Sequence, residues 1–149
     1  MWNDSKSLML SKVCVIAFMA ILLICMSIAP LLVARLTAIS ISAGSAGRWL
    51  FLVTVYTGSI PAAALLICLF MLLVRIGKGS VFVRENTASL RYISWCCFAG
   101  SVICLASALY YTPWLAIGIS AAFVGIVMRV VKNVFAKAVS LQDDASLVI

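Results

Sequence analysis

Residues 13–32 read VCVIAFMAILLICMSIAPLL. Twenty residues without a charge make a helix of about 30 Å, the thickness of the hydrocarbon core of a membrane. A cleaved leader is the rival reading, because Lys6 and Lys12 form a basic n-region and Ser27-Ile28-Ala29 puts small residues at cleavage spacing. Pro30 would follow the cut directly, and the run is long for a leader's apolar region. Cys25 follows Ile24 rather than a small residue, unlike a lipoprotein attachment site. The run is therefore read as a first membrane-spanning helix.

Working outward, residues 35–48 are small and polar, with Ser40, Ser42, Gly44, Ser45 and Gly47, and read as a flexible connection. A second apolar run covers 49–74; it exceeds the membrane thickness and must tilt or bend, with Pro61 beside Gly58 and Ser59 as the kink site. Residues 75–91 break the hydropathy with Arg75, Lys78, Arg84, Glu85 and Arg91. Gly77 and Gly79 allow a turn there, and from Arg84 the chain lacks breakers and can wind directly into a third span at 92–111. Thr112-Pro113 supplies a cap and a first-turn proline for a fourth span at 113–131, so spans three and four should form a tight hairpin. Tyr110, Tyr111 and Trp114 belong to an interfacial aromatic belt. In the tail, 132–149, Lys132 and Lys137 interleave with Val134 and Phe135 as an amphipathic helix. Asp143 and Asp144 follow, then Leu147-Val148-Ile149, a free apolar end that suits a contact surface or simple disorder. The expected fold is an all-α membrane protein, one domain over 1–149, with four transmembrane helices as two helical hairpins.

Composition agrees: the chain of 149 residues is 66% hydrophobic and 10% charged, with a mean hydropathy of +1.24, far from a soluble domain. The net charge of +7 gathers at the ends of apolar runs, where it sets topology rather than binding nucleic acid directly. Of the eleven basic residues, only Arg35 and Arg48 fall on one side; the other nine fall on the side of both termini and of 75–91. Both termini are thus expected in the cytoplasm.

Chemistry at membrane depth needs an ionisable group, nucleophile or metal ligand there, and such residues are costly enough to mark function. All four carboxylates lie outside the spans and histidine is missing, so no catalytic residue, cofactor or metal is expected and the chain is read as non-enzymatic. Ser59 has no histidine or lysine in the spans to activate it. Gly77-Lys78-Gly79-Ser80 superficially suggests a phosphate loop, but Leu72 stands where the first glycine belongs and Gly79 where Ser or Thr must follow the lysine. The six cysteines lie in apolar runs without a CxxC pair and read as packing residues. Small residues four apart, Gly58 with Ala62, Gly118 with Ala122 and Ala121 with Gly125, let helix backbones approach; packing within the chain is favoured over a homo-oligomer seam, and both stay open.

The pattern Gly79-Ser80-Val81-Phe82-Val83-Arg84-Glu85-Asn86, followed by Leu90-Arg91 and Ile93, and the acidic-then-aliphatic ending 141–149 resemble a widespread bacterial family described only as domain of unknown function 2975. The resemblance extends over nearly the whole chain. It departs at Val83, where a polar helix cap would be expected, and at Ser146 and Val148, where an acidic residue and Thr would fit. Similar proteins are often encoded beside a small helix-turn-helix regulator, which implies a regulatory association.

The functional expectation is a regulatory protein of the bacterial inner membrane that touches lipid and recruits or restrains a cytoplasmic partner such as a helix-turn-helix protein. The candidate partner-binding residues are Arg84, Glu85, Asn86, Arg91, Asp143, Asp144, Leu147 and Ile149. An alternative is a small transport or immunity component that binds a lipid, peptide or toxin between its helices, with the bend at Gly58-Ser59-Ile60-Pro61 as its opening.

Overall fold

The computed structural model describes residues 4–40 and 45–148. Four helices make up almost all of it: α1 (Asp4–Ser40), α2 (Ser45–Gly77), α3 (Arg84–Ser107) and α4 (Pro113–Leu147). Each is long and apolar enough to cross a membrane. The expected hairpins α1–α2 and α3–α4 are present, and α2 packs on α3 as well. Among the described residues α1 and α4 do not touch. The four helices therefore form an open row rather than a closed bundle, with α1 and α4 at its margins.

The helices overrun the boundaries expected from hydropathy. A backbone in lipid has no water to satisfy its polar groups, so helix persists past the apolar run until a cap ends it. The polar connection expected over 35–48 is mostly helix, with residues 41–44 outside the described residues. The loop expected over 75–91 shrinks to the stretch between Gly77 and Arg84. Its start is fixed by Gly79, whose φ of 83° is left-handed: Ser80 N–H donates to Arg75 O (3.2 Å) and Gly79 N–H to Ile76 O (3.0 Å), the paired bonds of a Schellman cap. The Gly77-Lys78-Gly79-Ser80 stretch is thus an ordered helix stop.

The other end of the loop also differs from expectation. Val83 occupies the α3 cap position without a side-chain bond, and the structural work falls to Asn86. Its side-chain amide donates to Ser80 O and Val81 O, both at 2.8 Å, which locks the loop across the top of α3. At the opposite end Thr112 does not cap α4 with its hydroxyl; only Pro113 at the first turn acts as expected. The third span ends at Ser107, and 108–112 close the hairpin through turn bonds such as Tyr110 N–H to Ser107 O (3.2 Å).

Burial follows a 3–4 repeat. On α1 the shielded residues are Val15, Met19, Leu22, Met26, Ala29 and Val33, a narrow seam against α2, while Ile16, Phe18, Ile21 and Leu23 between them face outward. α3 sits between two neighbours, is the least apolar of the four helices, and has four buried serines. The terminal pair faces α2: Ser89 accepts from Arg75 (3.0 Å) and Ser107 meets Thr54 (2.8 Å). The central pair faces α4: Ser94 donates to Gly125 O (2.9 Å) and Ser101 to Gly118 O (2.7 Å).

Candidate binding surface at the basic end

At one end of the row stand the two tyrosines and Trp114 expected to form an aromatic belt. They turn inward onto α2. Tyr111 and Trp114 pack against Phe51 with ring centroids 5.6 and 5.4 Å away, and the Tyr110 hydroxyl bonds to Thr54 Oγ1 and Leu50 O. This end closes the α2–α3–α4 junction and presents few free charges.

The opposite end holds the α2–α3 loop, the start of α1 and the end of α4, and it concentrates the charge. Arg75, near the end of α2, donates to Glu85 O (3.3 Å) and Ser89 Oγ (3.0 Å), tying α2 to the first turn of α3. Arg84 reaches the other way, to Asp143 of α4 at 3.1 Å, with both side chains largely in solvent. An exposed pair of this kind contributes on the order of 0.5 kcal/mol. Its value lies in register: Phe82 meets Phe135 at 5.5 Å in the same region, so the loop and α3 together brace α4 well past the end of its apolar run.

The tail expected as an amphipathic helix with an exposed or disordered apolar end is helix through Leu147, continuous with the fourth span. α4 has 35 residues, about 52 Å of helix, of which only some 30 Å is needed to cross a membrane. Asp143, Asp144 and Leu147 are exposed on its last turns, and Ile149 lies outside the described residues.

Between α3 and this extension runs a groove of about 450 Å³ lined by Arg84, Thr87, Arg91, Lys132, Ser140 and Asp143, among others. It brings together three of the residues expected from sequence, Arg84, Arg91 and Asp143. Glu85 is exposed nearby, whereas Asn86 is fully buried and shapes the surface only through the loop it holds. Lys132, Thr87 and Ser140 were not anticipated. Their signal was available in the spacing: Lys132, Ala136, Val139 and Asp143 recur at three and four residues, one face of a helix that continues past the membrane. Next to the groove, the Arg129 guanidinium lies 5.6 Å from the Trp95 ring and 5.7 Å from that of Phe98.

A second depression is apolar. It lies between α1 and α2, about 340 Å³, lined by Phe18, Leu22, Cys25, Ala62 and Leu66 among others. It begins one position past the Gly58-Ser59-Ile60-Pro61 segment and faces outward from the row. Ser59 spends its hydroxyl on Tyr56 O at 2.6 Å, within its own helix.

Four apolar helices in an open row, with large aliphatic and aromatic side chains exposed along their length, define an all-helical, multi-pass membrane protein. A family model described as "Protein of unknown function (DUF2975)" matches residues 32–149, and the chain belongs to that family. The match takes in the end of α1 and all of α2, α3 and α4, including the loop, the Ser–Gly contacts and the groove. Neither the curated proteins nor the solved structures give a match.

Proposed function

We propose that this chain is a non-enzymatic regulator of a bacterial inner membrane, oriented with its basic end in the cytoplasm, where it holds a cytoplasmic partner. One observation carries the reading: the polar residues converge on a braced helical platform at one end, where Arg84 pairs with Asp143 across α3 and α4. Glu85, Asp144 and Leu147 stand exposed around that pair. A protein of the helix-turn-helix class, basic on its nucleic-acid face, is the partner the family resemblance suggests; the acidic last turns of α4 suit it electrostatically. The nine basic residues gathered at this end support the orientation.

Two measurements test the proposal. A protein truncated before Gln142 should insert with unchanged helix content in the spans but lose the neighbouring helix-turn-helix protein on co-purification in mild detergent. Retention of that protein at full strength would remove the platform from consideration. In a background without native cysteines, a thiol at Ala46 should react with an impermeant reagent in spheroplasts, and thiols at Ser80 or Ser140 only after lysis. The reverse pattern overturns the orientation.

A further inference from the structure

We propose that the groove between the start of α3 and the extension of α4 is a binding site for the phosphate of an anionic phospholipid. The geometry points to phosphate first. Three cations, Arg84, Arg91 and Lys132, line the groove against one carboxylate, Asp143. Asp143 is engaged by Arg84 at 3.1 Å, and neither Arg91 nor Lys132 makes an ion pair or hydrogen bond among the described residues. Two free cations on facing helices form the kind of site that takes a headgroup phosphate between membrane helices. Thr87 adds a hydroxyl oxygen that is buried without a partner, and Ser140 adds a second hydroxyl to the lining.

Depth separates a lipid from a soluble phosphate. Arg91 lies sixteen residues from the end of α3 at Ser107, and Lys132 nineteen from the start of α4 at Pro113, about 24 and 28 Å of helix. With the other ends of α3 and α4 at one face of about 30 Å of hydrocarbon, both backbones come close to the opposite face, and the long Arg91 and Lys132 side chains extend from there toward the lipid phosphates. The floor of the groove includes Ala88, Ala136 and Val139, and on the α3 face below Arg91 the exposed Trp95 and Val102 offer an acyl chain an apolar track. Arg84 lies about 10 Å beyond Arg91 along α3, and Asp143 about 16 Å beyond Lys132 along α4, outside the phosphate layer. There Asp143 pairs with Arg84, which leaves Arg91 and Lys132 for the phosphate.

This inference stands apart from the partner-binding proposal, because it concerns the membrane-facing half of the groove. The test uses the full chain in neutral detergent, titrated with phosphatidylglycerol or phosphatidylcholine and read by native mass spectrometry of bound lipid. The expected result is selective retention of phosphatidylglycerol. Arg91→Gln with Lys132→Gln should weaken it roughly twentyfold or more, since each basic residue at a membrane surface is worth about fivefold. Lys6→Gln with Lys78→Gln, an equal loss of charge away from the groove, should change it by about twofold at most, as for screened, distant charges. Asp143→Asn, a charge change outside the phosphate layer, should also change it by about twofold at most. Equal weakening by both double variants, or a change in Asp143→Asn as large as that in Arg91→Gln with Lys132→Gln, overturns the site. Glycerol phosphate competing as well as the lipid on a molar basis overturns the assignment to a lipid and makes the site one for soluble phosphate.

Discussion

The α3–α4 and α1–α2 contacts are both antiparallel helix pairs, yet they are built on different principles. α3 and α4 meet through their backbones. Ser94 and Ser101, seven residues apart, donate to the carbonyls of Gly125 and Gly118, also seven apart, in antiparallel register. A methyl group added at Gly118 would stand 2.9 Å from the Leu105 side chain and 3.2 Å from its backbone nitrogen. α1 and α2 meet through side chains along most of their length, with a groove between them and a polar contact from Tyr56 Oη–H to Met26 O at 3.3 Å; only the ends of the flexible Leu8 and Lys12 side chains come close to a glycine, Gly77. Gly58, on α2, has open space where a side chain would go. In lipid there is no hydrophobic force to press helices together, so close approach and buried hydrogen bonds decide which pair is tight. α3–α4 is the welded hairpin of this molecule, and α1–α2 is the adjustable one.

The largest way to break this contrast is to fill the glycines. Gly118→Leu should destabilise the detergent-solubilised protein by about 1–3 kcal/mol or more, because the clash is with backbone as well as side chain. Gly125→Ala should cost less than Gly118→Ala. Its added carbon meets Cys97 Cβ and the Phe98 ring at 3.2 Å, and the ring can move. Denaturant titration followed by helix signal is the measurement. Equal, small effects at both glycines would mean that α3 and α4 stand further apart than the hydrogen bonds require.

The same contrast explains what could be read before the structure. Four spans, their order and the split of basic residues were legible because length and charge are one-dimensional signals. Spacing of small residues also located the tight contact in part: Gly118 and Gly125 were both singled out, with packing inside the chain preferred, and both sit in the α3–α4 contact. Gly58 carries the same signal, yet has nothing within 4 Å of the place a Cβ would occupy. The packed face of α1 was illegible, since residues such as Ile16 and Leu23 that face outward are as apolar as Val15 and Met26 that face α2. The helical ends were underestimated for a related reason: hydropathy reports where lipid stops, whereas capping groups such as Gly79 decide where helix stops. The groove was half legible. Arg84, Arg91 and Asp143 were named for their charge, but Lys132 joined them only once α4 proved to continue without a break.

A smaller effect sharpens the polar side of the comparison. Ser94→Ala with Ser101→Ala removes both bonds of the welded pair, and interhelical bonds of this type average about 0.6 kcal/mol each, so the double variant should lose about 1 kcal/mol. Ser120→Ala is the internal control, because its hydroxyl donates only to Ala116 O within α4 and is exposed; it should be silent. Denaturation midpoints measured side by side separate the two. A double variant as stable as Ser120→Ala would assign the tightness of the hairpin to glycine packing alone.

The smallest expected effect has the opposite sign and tests the adjustable pair. Gly58 is a helical residue with nothing within 4 Å of the place a methyl would occupy. Replacing it by alanine removes conformational freedom from the unfolded chain and meets no neighbour, so stability should stay level or rise by up to about 1 kcal/mol. Gly58→Leu should be tolerated almost as well in the isolated chain, which Gly118→Leu is not. The informative failure is a loss of stability on Gly58→Leu that grows with protein concentration in the micelle. The surface of α2 around Gly58 and Ala62 would then be closed by a second copy of the chain. The small-residue spacing at Gly58 and Ala62 would become a seam between molecules, as Gly118 and Gly125 form one within the chain. A loss independent of concentration would instead show that α1 leans closer to α2 than the open space beside Gly58 allows, and the division into a welded and an adjustable hairpin would fall.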